Sequence, residues 1–246
     1  MAKTHEALVK AEKEHKMSYL QPVRKPDSAL APLSHIKDLA QTSPEWCKEL
    51  MTRLQTQFID SKIKSLLFTG TVQKSGASKT SADFASSMAI AFQHKVLLID
   101  ANLRTPGIHK FFKNDNAIGL FDIFLNRQPR IEKNSSSNLY VVTCNKNITR
   151  EIDSFFGSDR FKEFIDKVSE SFDFVILDGP PVTSCSESLA IGAKVDGVIL
   201  ILEAGKTRRS VAVKAKKEIE DAGGNFLGVV LNKRKYYIPQ WVYKWL

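Results

Sequence analysis

The 246-residue sequence is poor in cysteine and has no segment suited to crossing a membrane. Its three cysteines, Cys47, Cys144 and Cys185, lack the spacing of a metal site or a disulfide framework, so we expect reduced thiols. No apolar run approaches the roughly 18 residues that a membrane-spanning helix needs. The opening residues, MAKTHE, do not resemble a signal peptide. These absences predict a cytoplasmic protein that reaches a membrane only through a partner or its own tail.

Internal repeats and nucleic-acid-binding motifs are also absent. The hydrophobic content of 43% and the charged content of 26% are ordinary for a globular protein. Much of the net charge of +9 lies in residues 203–246, which hold ten Lys or Arg and four Asp or Glu. A basic surface suits an acidic partner or an acidic lipid, and a solvated face is the plainer alternative. Without a motif we expect no nucleic acid partner.

The distribution of apolar and polar segments predicts one main domain with an extension at each end. Residues 1–16 have helical composition, and three prolines in residues 21–34 indicate a linker. We therefore expect an N-terminal helix and linker at residues 1–40, a main domain at 41–235 and a basic aromatic tail at 236–246.

Within the main domain, predicted strands alternate with predicted helices after a first helix at about residues 45–58. The strands are predicted near residues 65–70, 95–99, 139–143, 172–177, 196–202 and 226–231. The further helices are predicted near residues 78–92, 118–125, 158–171, 184–192 and 207–222. Such alternation is typical of an α/β fold with a mostly parallel, doubly wound sheet and helices on both faces.

Residues 71–78 (TVQKSGAS) follow the first predicted strand and have the pattern of a phosphate-binding loop without its lysine. In such a loop, backbone N–H groups and a helix N-terminus face an anion. In the pattern G-x-x-x-x-G-K-S/T, Gly76 takes the second glycine, Ser78 takes the hydroxyl position and Ala77 takes the place of the lysine. An ordinary connection between a strand and a helix is the alternative.

A second register of the same pattern would use Lys79 and Thr80 as its Lys-Thr pair. It requires glycines at two positions that hold Gln73 and Ser78, so the first register is favoured. Lys79 is still close enough in sequence to turn toward bound phosphates.

Two of the predicted strands end in an acid, Asp100 after KVLLI and Asp178 after FDFVIL. In an open parallel sheet, ligands bind outside the carboxyl ends of the strands. A buried carboxylate is costly unless it faces a cation or a hydrogen-bond donor. With a phosphate loop, two such acids fit a magnesium–nucleotide site, where one carboxylate holds Mg²⁺ through water and the other lies near the nucleophile. A helix N-cap is the plainer alternative for each acid.

In combination, several segments resemble the bacterial tyrosine kinases of capsule and exopolysaccharide synthesis. Residues 99–106 (IDANLRTP) resemble the D-x-D-x-R-x-P segment of this family, and residues 175–182 (VILDGPPV) resemble its Asp-x-Pro-Pro strand end. Residues 195–207 and 227–232 resemble its last two strands. The resemblance spans about residues 40–235 and implies a P-loop NTPase fold related to the cell-division ATPases with deviant P-loops.

The resemblance also implies ATP and Mg²⁺ as cofactors and assigns site residues by position. The catalytic residues would be Asp100, Arg104 and Asp178, and the metal ligands would be Ser78, Asp100 and Asp178. The nucleotide contacts would come from Gly76, Ala77, Ser78, Lys79, Asn102 and Asn232. A solvated loop charge is the alternative for Arg104, and a strand cap is the alternative for Asn232.

Departures from the family pattern bear on activity. Ala77 cannot offset the charge that develops on the transferred phosphate, so phosphoryl transfer is expected to fall by orders of magnitude. Asn102 replaces the second acid of the D-x-D segment, and it can orient water but carries no charge. The family's oligomerisation helix has the form E-x-x-R-x-x-R, whereas the matching positions here are Glu45, Lys48 and Met51. These departures argue against the kinase ring that the family builds on this helix, and a homo-oligomer of another kind stays open.

The family phosphorylates a C-terminal tyrosine cluster in trans, and the candidates in this chain are Tyr236, Tyr237 and Tyr243. The same tail has Trp241 and Trp245 among lysines. This composition equally suits docking to a partner, peripheral contact with a membrane, or packing on the main domain.

The sequence thus predicts a cytoplasmic, tyrosine-autokinase-like P-loop protein of polysaccharide synthesis or export. Its expected partner is a membrane-embedded adaptor that controls chain length or export and recruits it to the inner membrane face. Three alternatives stay open: a pseudokinase scaffold, an ATPase that switches assembly state to position other molecules, and an interaction module built on the tail.

Overall fold

The computed structural model describes residues 44–57, 63–112, 119–123, 125, 129, 131–134, 137–144 and 151–233. The helix and linker predicted at residues 1–40 and the tail predicted at 236–246 lie outside the described residues and stay predictions. In the part of the chain that the structure describes, no helix has the length and apolarity to cross a membrane.

The described residues form one seven-stranded sheet with its helices. The strands are β1 (Ser65–Gly70), β2 (Val96–Asp100), β3 (Glu132–Lys133), β4 (Leu139–Val142), β5 (Phe174–Asp178), β6 (Gly197–Glu203) and β7 (Phe226–Asn232). The helices are α1 (Glu45–Gln57), α2 (Ala77–Ile90), α3 (His109–Phe112), α4 (Ile152–Gly157), α5 (Asp159–Ser171), α6 (Glu187–Gly192) and α7 (Arg209–Asp221). A 3₁₀ turn at Leu120–Ile123 follows α3.

The strand order is β3-β4-β2-β5-β1-β6-β7, and the neighbouring strands are parallel except for β3 and β4. The predicted α/β fold with a mostly parallel sheet is confirmed. Each of the six predicted strands is present within two residues of its predicted bounds. Among the described residues of the helix predicted at 118–125, Leu120–Ile123 form a 3₁₀ turn, and α6 begins three residues later than predicted.

The central strands β1, β2, β5 and β6 are largely buried on both faces because helices cover both sides of the sheet. On one side, Leu67 of β1 packs among residues of α4 to α7. On the other side, Leu66 and Phe68 pack against α1 and α2. Because neighbouring side chains of a strand point to opposite faces, the continuous apolar runs supply both layers at once.

Helix α1 uses its apolar face for the core of its own chain. Met51 is 2% exposed and Cys47 is fully buried in the layer beneath α2. Burial in an apolar layer also raises the pKa of the Cys47 thiol to about 12. The position at which the family's oligomerisation helix would have an arginine therefore holds a core residue.

The aromatic contact between α2 and β1 provides a test of this core. The Phe84 ring is fully buried, and its centroid lies 5.3 Å from that of Phe68. We expect Phe84→Ala to lower the free energy of unfolding by about 3–5 kcal/mol, because it leaves a cavity between helix and sheet. Val213→Ala on α7 removes a side chain that is 58% exposed and should change stability by less than about 0.5 kcal/mol. Equal urea midpoints for the two variants would contradict the described packing.

Candidate functional site

The loop between β1 and α2 has the backbone geometry that a phosphate-binding loop requires. Gly76 directly precedes α2 and has a φ of 94°, in the left-handed region that favours glycine. A Cβ atom at this position would lie 2.1 Å from Nδ2 of Asn232, so a side chain there would displace Asn232. The second glycine of the pattern is therefore required both by the backbone and by its neighbour.

Two residues at the end of β7 hold the loop through its carbonyl groups. Nδ2 of Asn232 donates to the carbonyl oxygen of Ser75 at 3.0 Å, and Nζ of Lys233 donates to that of Lys74 at 2.6 Å. Nζ of Lys233 also lies 3.3 Å from Oε2 of Glu203. The sequence interpretation missed Lys233 and Glu203, because no local pattern links the ends of β6 and β7 to the loop.

The geometry of the first turn of α2 favours the first register of the loop. The hydroxyl of Ser78 lies near the carboxylate of Asp178 and acts on its pKa. Lys79 instead forms a 2.6 Å ion pair with Asp83, and the hydroxyl of Thr80 donates to the carbonyl oxygen of Gly76 at 2.9 Å. Thr80 therefore stabilises the first turn of α2, while the hydroxyl of Ser78 lies near Asp178.

The two strand-end acids lie side by side. Asp100 of β2 and Asp178 of β5 are paired positions of adjacent parallel strands, and both are fully buried. Two carboxylates this close in a medium of low dielectric cannot both be charged without cost. The sheet therefore brings together the two acids that the sequence singled out.

Backbone donors surround the carboxylate of Asp100. Oδ2 accepts the N–H groups of Gly107 and Ile108 at 2.9 Å each, and Oδ1 accepts that of Asn102 at 3.2 Å. Burial nevertheless raises the pKa of Asp100 to about 7, because the effect of desolvation is larger than the opposing effect of these hydrogen bonds. Asp100 thus fixes the loop that follows β2, in addition to any chemical role.

The carboxylate of Asp178 lacks such donors. Neither of its oxygens has a hydrogen-bond partner of ordinary geometry among the described residues. The hydroxyl of Ser81 donates instead to the carbonyl oxygen of Ser78 at 3.0 Å. Burial, followed by the charge of Asp100, holds the pKa of Asp178 well above its ordinary value, and the Ser78 and Ser81 hydroxyls oppose this rise.

This donor set fits Mg²⁺. A buried carboxylate without N–H partners next to the Ser78 hydroxyl offers the oxygen ligands that Mg²⁺ prefers. The described residues contain no group of three or more His, Cys, Asp or Glu side chains arranged around a common point. An ion held here would therefore take its other ligands from water and from a bound phosphate, which is the usual way in which Mg²⁺ is bound beside a nucleotide.

A cavity of about 440 Å³ lies over the loop and extends to residues 102–111. Five of the predicted nucleotide contacts line it, namely Gly76, Ala77, Ser78, Lys79 and Asn102. The side chain of Asn102 turns onto its own loop, because Oδ1 accepts the backbone N–H of Thr105 at 3.2 Å. Most of the predicted contact set thus shares one cavity.

The remaining predicted residues lie elsewhere. Arg104 is not part of the cavity wall, because its guanidinium pairs with Glu187 and lies 3.9 Å from Asp153, and the Glu187 hydrogen bond raises the pKa of Arg104. Asn232 lines a second cavity of about 460 Å³ between α1, α2 and β7. The predicted phosphoacceptors Tyr236, Tyr237 and Tyr243 lie outside the described residues.

Comparison with known sequences places the chain in a family. Residues 69–209, from the end of β1 to the start of α7, match the family described as "AAA domain". The chain belongs to this AAA domain family. The match includes the phosphate loop and both strand-end acids, so the geometry above is that of the AAA domain itself.

Relatives and solved structures agree with this assignment. The AAA domain protein is 29% identical over 205 residues to the tyrosine-protein kinase YwqD of Bacillus subtilis, a match that covers 80% of this chain and 86% of the relative. Its fold is similar to the kinase domain of the Escherichia coli tyrosine kinase ETK, with a TM-score of 0.76, 23% identity and coverage of 89% and 87%. The resemblance to bacterial tyrosine kinases is thereby confirmed.

A solved structure of a differently named protein also shares the fold. The septum site-determining protein MinD of Pyrococcus horikoshii, solved with Mg-ADP, matches with a TM-score of 0.59 and 16% identity over 74% of this chain and 76% of that one. This likeness concerns the fold alone, and it confirms the predicted P-loop ATPase architecture.

The raised pKa of Asp178 predicts how stability depends on pH. The folded state keeps a proton that the unfolded state releases near pH 3.8, so the free energy of unfolding falls as the pH rises through the folded pKa. Asp178→Asn removes this titration. Between pH 4.5 and 7.5 we expect the wild-type chain to lose more stability than the variant, as measured by urea unfolding.

Asp221→Asn at the exposed end of α7 is the matched control. Its pH profile should follow that of the wild-type chain. A profile for Asp178→Asn that is parallel to both would contradict the raised pKa.

Proposed function

We propose that this AAA domain protein binds a complex of ATP and Mg²⁺ in the cavity over the phosphate loop. The observation that carries the proposal is the buried carboxylate of Asp178, which has no backbone N–H partner and lies near the hydroxyl of Ser78 in the loop that Gly76 shapes. When bound, Mg²⁺ would neutralise charge on the phosphate oxygens. Ser78 and Asp178 would hold it, and the backbone N–H groups of the loop would bind the phosphates.

We further propose a tyrosine-autokinase-like role in polysaccharide synthesis or export. Support comes from relatives named as tyrosine-protein kinases that match four-fifths of the chain. The proposed partner is a membrane-embedded adaptor for chain length or export, which would hold this cytoplasmic protein at the inner membrane face. The proposed acceptors are Tyr236, Tyr237 and Tyr243.

Two observations favour a second candidate, a pseudokinase that binds nucleotide and acts as a scaffold. Ala77 supplies no charge to the cavity, and backbone N–H groups already occupy both oxygens of Asp100. Asp100 is also fully buried and does not line the cavity, which favours a structural role over the acceptance of a proton from an attacking hydroxyl. Binding and transfer therefore need separate tests.

Binding is tested by titrating a fluorescent ATP analogue with and without Mg²⁺. For the wild-type chain we expect Mg²⁺ to tighten binding by about tenfold or more, because it links the phosphates to the buried carboxylate. Asp178→Asn should abolish most of this gain, whereas Asp221→Asn should preserve it. Binding that ignores Mg²⁺ in all three proteins would refute the proposed metal site.

Transfer is tested by incubation with Mg-ATP and detection of phosphotyrosine. We expect Ala77→Lys to raise labelling by about hundredfold or more over the wild-type chain, because a lysine stabilises charge in the transition state. Ala222→Lys adds the same charge at the exposed end of α7 and should change nothing. Replacement of Tyr236, Tyr237 and Tyr243 by Phe in the Ala77→Lys protein should remove the label. An unlabelled Ala77→Lys protein that still binds ATP would favour the scaffold.

A further inference from the structure

The cavity over the phosphate loop is lined by three lysines even though Ala77 occupies the lysine position of the motif. Lys74 comes from the loop, Lys79 from the first turn of α2 and Lys110 from α3 on the opposite wall. Three cations from separate elements around one cavity indicate an anionic ligand. The remaining question is which cation faces the phosphate that the motif lysine would bind.

Lys110 follows a turn whose backbone is hydrogen-bonded to the carboxylate of Asp100. Its backbone N–H donates to the carbonyl oxygen of Gly107 at 3.2 Å, and the N–H of Gly107 donates in turn to Oδ2 of Asp100 at 2.9 Å. A Cβ atom on Gly107 would lie 3.4 Å from Oγ of Ser78. The wall that presents Lys110 therefore contacts the Ser78 end of the loop, where the proposed metal ion and the terminal phosphate would lie.

Lys79 and Lys110 also differ in their ion pairs. Lys79 forms its 2.6 Å ion pair with Asp83, whereas no ion pair joins Lys110 to another described residue. The positive charge of Lys110 does reach the site, since it lowers the pKa of buried Asp100.

We propose that Lys110 replaces the missing motif lysine by contacting the terminal phosphate of a bound nucleoside triphosphate from the wall opposite the loop. This inference rests on the proposed nucleotide site and specifies its ligand. A cation at the Ser78 end discriminates a triphosphate from a diphosphate, because only the triphosphate extends that far. Asp100 then acts as a positioning residue for Lys110.

The test compares the affinities of fluorescent ATP and ADP analogues, each with Mg²⁺, for the wild-type chain and for Lys110→Ala. We expect about tenfold weaker ATP binding and less than about threefold weaker ADP binding, as for the loss of one charge-assisted contact to the terminal phosphate. Lys214→Ala is the matched control, since this lysine lies on α7 and is 75% exposed. Lys74→Ala tests whether any cavity lysine has the same effect.

The Ala77→Lys background separates this inference from the proposed function. If Lys110 replaces the motif lysine, Lys110→Ala should weaken ATP binding clearly less in the Ala77→Lys protein than in the wild-type chain. Three outcomes would overturn the inference and leave the proposed nucleotide site standing. Lys110→Ala could weaken ATP and ADP binding equally, or Lys74→Ala could have the same effect as Lys110→Ala. ATP binding could also require Ala77→Lys. Absence of nucleotide binding in every protein, Ala77→Lys included, would overturn the proposed function itself.

Discussion

The pairing of Asp100 with Asp178 is the constraint on which the rest of the site depends. Parallel strands in register place the two carboxylates next to each other, inside a layer that excludes water. Asp100 meets this cost by accepting three backbone N–H groups, and in doing so it fixes the turn that leads into α3. Asp178 has no such donors, and a buried carboxylate without them calls for a cation. One acid is thus satisfied by folding, whereas the other is the proposed ligand of a cation.

The loop over this pair keeps its shape without the motif lysine. Its left-handed turn depends on Gly76, and its carbonyl groups depend on Asn232 and Lys233, none of which Ala77 affects. Ala77 itself opens α2, where alanine is the most favourable helix former. Alanine in place of the lysine therefore removes a positive charge from the loop and does not alter the contacts that set its backbone geometry. This separation is consistent with the proposal that the chain binds a nucleotide without efficient phosphoryl transfer.

Features that depend on residues close together in the sequence could be predicted from it. The strands are continuous apolar runs, and the strand-end acids follow them directly, so the fold and the Asp100–Asp178 pair were predictable. The two-residue strand β3 and the short helix α4 have no periodic pattern long enough to detect. The position of Arg104 was not predictable, since its partner Glu187 is 83 residues away in the chain. Lys110 and Lys233 were missed for the same reason, because only the tertiary fold brings them to the loop.

Protonation links these features. Burial raises the pKa of both paired acids, so a proton competes with Mg²⁺ for the carboxylate that would hold the ion. A lysine at position 77 would add a cation to the cavity and favour the ionised acids, whereas Ala77 leaves this task to Lys110 and to the metal ion. Mg²⁺ affinity in this chain should therefore rise steeply with pH in the range where Asp100 and Asp178 titrate. Alanine at this position would thus make occupancy of the proposed metal site more sensitive to pH.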